Sequence, residues 1–440
     1  TSEQSNRKIF LNVNLLDGER PPQAGMNVVV RGNRIEEVTQ AALEPAPGDA
    51  VYDLEGRSLM PGMVQAHFHT GFGPTPSPGP APILGLEAPP TFMGMIAAKN
   101  AKTALDCGVT SIIGSSNPAL LDVSLKEAIL LGIVEGPRVF ACTREFMASG
   151  DQADGTNRSW FMGLGESGLT RRVDGVEQMV QAVREELGRG CDIVKLSASP
   201  GHGSHPAGEA TYYSLEEIEA AAYTAHERGK RVRAHTASRE SIIRCARAGV
   251  DIIDHADLID EEGMELVLVN DLSITPSMLW TVRYLEFAAS WNYEMGPFPI
   301  GDGFPETRAA VDERLDGVRR EFEYTCEMVP KLEEAGVRLL VGDDFGFPMM
   351  PHGDYVSELE VYVGQLGIEP LSVLRWATKH GAEAMGRGDE LGTIASGKLA
   401  DLVVVDGDPS VEIGCLREGI VAVMKDGLFH REPPARPAAE

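Results

Sequence analysis

Short apolar segments that alternate with helical segments constrain the fold of this chain more than any other feature. Several of the apolar segments end in a histidine, a lysine or an aspartate, and these end residues are His67, Lys195, His235, His255 and Asp344. Helix signals lie between them: Ser214 and Glu217 have the spacing of a capping box, and Gly229 follows as a C-terminal glycine. Alternating strands and helices are typical of βαβ units, which form a parallel sheet.

Three more apolar segments, near residues 109–115, 137–143 and 272–276, bring the predicted strands of this region to eight. Eight parallel strands with intervening helices predict an α/β fold of the TIM (β/α)8 barrel type, here a distorted one. Such barrels carry their chemistry at the carboxyl ends of the strands. The polar end residues all fall at those ends, so we expect them to meet at one mouth of the barrel.

His67 and His69 follow the first of these strands. Side chains at positions i and i+2 of a strand point to the same side, so the two imidazoles should face one spot. Neutral imidazole suits borderline divalent metals such as zinc, and a carboxylate can complete the ligand set. The pair therefore predicts half of a metal site.

The two ends of the chain have a different pattern, with short β-type segments separated by turns such as Asp17-Gly18 and Gly32-Asn33. Similar segments return near residues 402–406 and 420–424. We predict that both ends combine into one small β-sandwich beside the barrel. The predicted boundaries are 1–60 for the N-terminal part of the sandwich, 61–388 for the barrel, 389–432 for the C-terminal part and 433–440 for a tail.

The charge excludes some classes of partner. The chain has 66 acidic and 39 basic residues, a net charge of −27, so neither nucleic acid nor an anionic membrane is expected to bind. Six cysteines without a C-x-x-C pair indicate neither a disulfide framework nor a zinc ribbon, and a cytoplasmic location fits them best. No apolar run is long enough to suggest a transmembrane helix.

Over nearly its whole length the chain resembles the amidohydrolase superfamily, and within it the imidazolonepropionase-related group, which includes prolidase-like dipeptidases and hydrolases of aryl amides, mycotoxin amides and phenylureas. The matching residues are Pro61-Gly62-Met63-Val64-Gln65-Ala66-His67-Phe68-His69, Lys195, His235, His255, Gly342-Asp343-Asp344, Leu391-Gly392-Thr393-Ile394 and Gly397-Lys398-Leu399-Ala400-Asp401-Leu402-Val403-Val404.

The resemblance implies a role for each matched position. His67 and His69 would bind the more buried metal, and His235 and His255 the second one. Lys195 would be carbamylated and bridge the two ions. Asp344 would touch the metal and act as general base. One or two divalent ions are implied, with zinc the favoured element.

Two departures from the family pattern affect this assignment. Asp343 stands where threonine or serine is common, and we choose Asp344 as the acid because it lies two residues before Gly346. Gln65 replaces the aspartate that is often found two residues before the first histidine, which would alter the hydrogen bonds to the ligands.

Four further residues are candidates for substrate binding, each with an alternative interpretation. His202 and His205 lie on the loop after the fourth strand and could line the pocket or be solvated. Tyr212 could donate a hydroxyl or pack in the core, and Arg144 could bind a substrate carboxylate or form a surface ion pair. The aromatic stretch from Trp280 to Asp312 predicts a lid, a pocket wall or an oligomer interface.

The sequence therefore predicts a metal-dependent hydrolase that cleaves a C–N bond in a small amide, carbamate or urea, working as a homo-oligomer. Two alternatives remain: a hydrolase that opens a cyclic amidine or lactam ring, and an inactive homologue with a binding role. Neither a G-x-S-x-G elbow nor a phosphate-binding G-x-x-x-x-G-K-[ST] loop is present, so a serine nucleophile and a nucleotide find no support.

Overall fold

The computed structural model describes residues 7–73, 88–151, 154, 168–202, 208–295, 307–347 and 349–433. Its strands are β1 Arg7–Leu15, β2 Gln23–Arg31, β3 Arg34–Thr39, β4 Ala50–Asp53, β5 Ser58–Pro61, β6 Met63–Phe68, β7 Val109–Gly114, β8 Arg138–Phe140, β9 Cys142–Met147, β10 Thr170–Arg172, β11 Ile193–Ser197, β12 Arg231–Thr236, β13 Ile252–His255, β14 Ser273–Thr275, β15 Arg338–Leu339, β16 Leu402–Val405, β17 Ile420–Lys425 and β18 Leu428–Arg431.

Helices separate most of the central strands. They are α1 Pro90–Asp106, α2 Leu121–Leu130, α3 Val176–Gly188, α4 Leu215–His226, α5 Arg239–Ala248, α6 Glu261–Val269, α7 Met278–Ser290, α8 Arg308–Ala335, α9 Tyr355–Gly364, α10 Pro370–Arg375 and α11 Gly381–Ala384, with single turns at Pro118–Leu120, Tyr293–Met295, Trp376–His380 and Ile413–Arg417. None of the helices in the described ranges has the length and apolar content needed to cross a bilayer.

The central strands form a parallel barrel, which confirms the predicted fold class. Its walls follow the order β6, β7, β8 with β9, β11, β12, β13, β14 and β15. Strands β8 and β9 together form one wall, since only Ala141 separates them, and β10 adds a short extra strand beside β9. The apolar segments of the sequence thus become the walls, and the polar residues that follow them lie at the carboxyl ends.

The barrel closes where its last wall meets its first. The amide of Ala66 on β6 donates to the carbonyl of Val341, just beyond β15, at 2.7 Å. The chains approach so closely here that a Cβ on Gly342 would lie 2.2 Å from the backbone nitrogen of His67. Glycine is therefore required at the point where the ring closes.

Local signals explain where several helices of the barrel begin or end. Ser214 begins α4 with a complete capping box, in which its hydroxyl accepts from the amide of Glu217 and the Glu217 carboxylate accepts from the amide of Ser214. Gly249 ends α5 and Gly336 ends α8, both in the left-handed conformation that favours glycine. These helices cover the outside of the barrel with their apolar faces.

The chain ends form one eight-stranded sheet, mostly antiparallel, in the order β18-β17-β16-β5-β1-β2-β3 with β4 beside β1. It resembles a small sandwich and has an apolar core of its own, to which Phe10, Val28, Leu59 and Met424 belong. Arg138 of the barrel reaches Asp401 at 2.7 Å and Asp426 at 2.6 Å and so ties this sheet to the barrel. The domain boundaries given above remain a prediction.

Candidate metal centre

Three ligand atoms converge where the first and last walls of the barrel meet. The Nε2 atoms of His67 and His69 lie 3.1 Å apart. Oδ1 of Asp344 lies 2.8 Å from the first and 2.9 Å from the second. Because the carbonyl of Ser116 accepts from Nδ1 of His69 at 3.3 Å, the Nε2 atom of that ring is the one left facing the site.

The neighbouring Asp343 has a different environment. It is fully buried, and its two carboxylate oxygens accept from the backbone amides of Trp280, at 3.1 Å, and Asp344, at 2.7 Å. Burial and the adjacent Asp344 carboxylate raise the pKa of Asp343 to about 7. Asp344 is the acid that touches both histidines, which supports its choice as the reactive one, although its role remains a prediction.

His255 and His235 complete a group of rings in the mouth. The His255 ring lies 5.4 Å from that of His67 and 4.5 Å from that of His235. Within the described part of the chain neither nitrogen of the buried His255 has a hydrogen-bond partner. Its backbone is left-handed, with φ of 76°, which is a strained conformation of the kind found at functional sites.

His69, His235 and His255 are held in the neutral form that a metal requires. Burial lowers the pKa of His69 to about 4 and, together with the Lys195 ammonium, that of His235 to about 3. Burial also lowers the pKa of His255 well below its usual value. Their nitrogen lone pairs are therefore available at neutral pH.

Lys195 lies in a buried ion-pair network that sequence analysis did not find. Its Nζ donates to Oδ2 of Asp254 at 2.5 Å. Arg233 also donates to both oxygens of Asp254, and its Nη1 reaches the carbonyls of Ala66 and Gly114 at 2.7 and 2.9 Å. Although burial alone would raise the pKa of Asp254, the two cations hold it well below its usual value.

A β-bulge decides which side chain of β9 faces Lys195. Ile193 and Lys195 are two residues apart on β11, whereas their partners on β9, Cys142 and Glu145, are three residues apart. The extra residue brings Glu145 to the side of the wall that Lys195 occupies. Glu145 is thus a residue of the mouth that the sequence pattern did not reveal, and burial raises its pKa.

The bulge also corrects the prediction for Arg144. This residue points away from the mouth, toward α3, where its Nη2 and Nε donate to Oε1 of Glu186 at 2.6 and 3.1 Å. Both side chains are buried. The prediction that Arg144 binds a substrate carboxylate is therefore wrong. The alternative, an ion pair, describes the side chain, although the pair lies beneath α3 rather than at the surface.

Of the other predicted substrate contacts, His202 enters the mouth. Its ring stacks on that of His255 with 3.7 Å between centroids, and its Nδ1 lies 3.1 and 3.2 Å from the two oxygens of Asp257. Burial acts to lower the pKa of His202, but the Asp257 carboxylate outweighs it and raises the pKa to about 9. Tyr212 follows β11 and is half-buried, and its backbone amide donates to the carbonyl of Ala198. Its role in substrate binding remains a prediction. His205 lies outside the described residues.

Gln65, the departure from the family pattern, is buried close to Glu358 of α9. Burial raises the pKa of Glu358 well above its usual value. Oε1 of Glu358 accepts from the amide of Gly342 at 2.8 Å and from the hydroxyl of Tyr362 at 3.1 Å. This network lies behind the last wall and supports the turn that carries Asp343 and Asp344.

Aromatic rings form one side of the mouth. Phe72 stacks on His69 at 4.1 Å between centroids, and Phe347 packs edge-on against Phe72 at 5.5 Å. Trp280, in the first turn of α7, packs on Phe347 at 4.4 Å. Of the aromatic stretch from Trp280 to Asp312, Trp280 contributes to this side of the mouth, while Phe298 and Phe304 lie outside the described residues. That the stretch forms a lid, a pocket wall or an oligomer interface stays a prediction.

The arrangement fits a divalent metal. His67, His255 and Asp344 offer ligand atoms that all lie within 4.8 Å of one another. Buried imidazole nitrogens without a partner are costly, and a cation bound between them and a carboxylate would remove that cost. One carboxylate and several imidazoles are the donor set that zinc prefers.

The fold and the site place the chain among known proteins. A model described as the amidohydrolase family matches residues 58–429. The chain belongs to this family, whose members are in general metal-dependent hydrolases, and the resemblance found in the sequence is confirmed.

The similar proteins act on several substrates. Ochratoxinase of Aspergillus niger is 24% identical over 398 residues, which cover 87% of this chain and 77% of the relative. A crystal structure of a Xaa-Pro dipeptidase with bound methionine has a TM-score of 0.82 and 26% identity, covering 97% of this chain and 100% of the other. The crystal structure of a prolidase complexed with N-methylphosphonate-L-proline has a TM-score of 0.81 and 28% identity, and the match covers 97% of this chain and 99% of the other.

Proposed function

We propose that this protein hydrolyses the C–N bond of a small amide, carbamate or urea, with a peptide-like or aryl amide as the favoured substrate. The observation that carries the proposal is the convergence of His67, His69 and Asp344 at the carboxyl end of a closed barrel, next to the unpartnered His255. A site of this kind has the donors for a metal and an acid in place for proton transfer.

The residues that would hold the metal are His67, His69, Lys195, His235, His255 and Asp344, for one or two ions of which zinc suits the donors best. When bound there, a divalent cation polarises a carbonyl group and lowers the pKa of water to roughly 7.

The proton transfers fall to Asp344. Its carboxylate, held by His67 and His69, accepts a proton from the attacking water and passes it to the nitrogen that leaves. The transfer needs no covalent intermediate with the enzyme. The buried mouth strengthens the hydrogen bonds that orient the carboxylate, because little water competes for them.

We also propose that Lys195 becomes carbamylated. The reaction requires the neutral amine: Nζ adds to the carbon of CO2 and loses a proton, and the product is an anionic carbamate. In the unmodified chain the Lys195 ammonium is paired with Asp254, which favours the charged amine. Two metal ions bound near Nζ would repel the ammonium and so favour loss of its proton. Arg233, which also pairs with Asp254, would keep that carboxylate compensated after the change.

The surroundings of the site support the choice of substrate. The rings of Phe72, Phe347 and Trp280 offer an apolar surface beside His69, which suits a substrate with an aromatic or branched apolar group. The names of the similar proteins, ochratoxinase, Xaa-Pro dipeptidase and prolidase, agree with a small molecule rather than a macromolecule as the partner.

A turnover screen tests the proposal. Metal-loaded protein is incubated with N-acyl amino acids, dipeptides, anilides and arylureas, and release of the amine is measured, with His235→Ala as the inactive control. We expect turnover of at least one class and loss of both turnover and metal in the variant. Protein that holds near-stoichiometric metal but turns over none of these classes would contradict the proposal and favour a binding role.

A further inference from the structure

A second group of possible ligands lies beside the site described above. His202, Asp343 and Asp344 each offer one ligand atom, and these atoms all lie within 4.8 Å of one another. Only Asp344 belongs also to the group formed with His67 and His255. His202 and Asp343 are not needed by the proposed hydrolysis, so their position next to Asp344 requires a separate explanation.

His202 has the environment of a metal-binding histidine. Its Nδ1 faces both oxygens of Asp257, at 3.1 and 3.2 Å, which fixes the ring and leaves Nε2 for another partner. Metal-binding histidines commonly donate their other ring nitrogen to a carboxylate in this way. Asp257 lies two residues beyond His255, so the loop that carries one predicted ligand also supports this ring.

The Nε2 atom of His202 is buried and has no hydrogen-bond partner among the residues that the structure describes. His202 as a whole is 4% exposed. Its backbone is left-handed, with φ of 64°, a conformation that is uncommon for residues other than glycine. The chain thus accepts an unfavourable backbone conformation and an unpaired nitrogen to place this ring beside two carboxylates.

A divalent cation at this place would displace the Nε2 proton that His202 carries while Asp257, against the effect of burial, holds its pKa at about 9, and the surrounding carboxylates would compensate the added charge. Asp343 and Asp344 are adjacent carboxylates, and Asp257 adds a third behind His202. Each oxygen of Asp343 accepts one backbone amide, from Trp280 or Asp344, and keeps a lone pair for a second partner. Lys195 and Arg233, the buried cations nearby, are already paired with Asp254.

We infer that His202, Asp343 and Asp344 form an additional site for a divalent cation, hereafter the His202 site, separate from the position between His67 and His255 and joined to it through Asp344. One imidazole nitrogen and two carboxylate oxygens suit Zn²⁺ or Mn²⁺, with water filling the remaining positions. The inference goes beyond the proposed function, because hydrolysis requires only the ions at the first position.

Metal counting tests the inference. Protein is stripped with a chelator and dialysed against Zn²⁺ alone or Mn²⁺ alone, and bound metal per chain is measured by mass spectrometry. Wild type should bind one more equivalent than His202→Ala, while His235→Ala should lose metal from the first position and keep the His202 site. His226→Ala is the matched control, because His226 pairs with Asp251 at 2.9 Å on a half-exposed helix end outside the barrel.

A gentler variant keeps the test decisive if His202→Ala does not fold. Asp257→Asn leaves the three ligands in place but removes the carboxylate behind the ring, and we expect it to weaken the last-bound equivalent by about 10–100-fold. Thermal unfolding of the metal-free variants identifies any that are misfolded.

Two outcomes would overturn the inference. One is equal metal content and affinity in wild type, His202→Ala and Asp257→Asn. The other is loss of all bound metal in a folded His202→Ala, because the ring would then belong to a single shared site. Turnover is measured separately, so a protein without hydrolase activity could still show the His202 site, and an active hydrolase could lack it.

Discussion

At the scale of single residues, two adjacent aspartates have opposite surroundings. The carboxylate of Asp344 meets His67 and His69, whereas that of Asp343 is fixed by backbone amides. The sequence alone left the choice between them dependent on the distance to Gly346. The geometry adds a physical reason for choosing Asp344, since a general base must lie beside the proposed metal ligands, where the attacking water would be bound.

Replacing Asp344 with asparagine should lower kcat by about 10²–10⁴-fold, because the amide cannot accept the proton from water. Asp343→Asn is the matched control and should retain more of the activity than Asp344→Asn, because Asp343 does not contact His67 or His69 and its amide oxygen still accepts one of the two backbone amides, those of Trp280 and Asp344. Steady-state kinetics on metal-loaded protein measures both variants. If Asp343→Asn were the inactive one, the choice of Asp344 would be wrong.

Lys195→Ala should reduce kcat by at least ~100-fold, more than is usual for a residue behind the ligands. If Lys195 acts as a carbamate, short carboxylic acids such as acetate or propionate should restore part of the activity, because their anion can occupy the space of the lost group. The measurement is turnover against acid concentration, with Lys230→Ala as control, since Lys230 pairs with Asp192 at 2.6 Å away from the mouth. An absence of rescue would speak against the bridging anion.

The residue types of the site were open to prediction only in part. A histidine or lysine after an apolar run can be recognised without a structure, and so His67, Lys195 and His255 were found. Asp254 and Arg233 were not found, because a charged residue inside a strand reveals its partner only when the neighbouring strand is known. No sequence pattern marks Asp257, and its role becomes visible only from its contact with the ring of His202.

At the scale of elements, the strands and helices follow from periodicity and end signals, but the register does not. A single extra residue in β9 brings Glu145 to the mouth and sends Arg144 to Glu186 of α3. The alternation of side chains along a strand predicts a side only if the pairing is regular. The wrong prediction for Arg144 thus has one physical cause, a bulge that depends on the neighbouring strand.

The seam between the last and first walls leads to a prediction at this scale. Gly342→Ala would place a Cβ 2.2 Å from the nitrogen of His67, so the backbone must move and the variant should lose about 3 kcal/mol of unfolding free energy. Gly94→Ala is the matched control, because no atom lies within 4 Å of a Cβ there and the residue is inside α1. The free energy of unfolding of Gly94→Ala should instead rise by about 0.5–1 kcal/mol, because alanine is favoured over glycine inside a helix.

Denaturant unfolding of the metal-free proteins measures both changes. Equal stability of Gly342→Ala and wild type would mean that the barrel closes with more space than the structure shows.

At the scale of the whole molecule, the sheet from the chain ends and the barrel share an ionic junction. Arg138, only 14% exposed, lies between Asp401 and Asp426. Apolar residues of β16 and β17, such as Val403 and Val423, belong to the same core as barrel residues such as Ile112. The two parts are therefore packed against each other rather than joined only by the chain.

Arg138→Ala should lower the free energy of unfolding by about 3 kcal/mol, because it leaves the buried carboxylate of Asp401 without its cationic partner. Arg31→Ala is the control, since its pair with Glu36 is exposed on both sides and should contribute less than about 1 kcal/mol. Thermal and denaturant unfolding report the difference. A cost as small as that of the control would show that packing alone holds the junction.

The closure of the barrel has a consequence for assembly. His69 and Asp344 are 275 positions apart in the chain and stand on opposite sides of the seam. Because the donors come together only when the ring closes, we expect a newly synthesised chain to bind a cation late in folding. A cation bound there would cross-link two segments that lie 275 positions apart, and we expect a chelator to destabilise the contact between the last and first walls before the rest of the barrel.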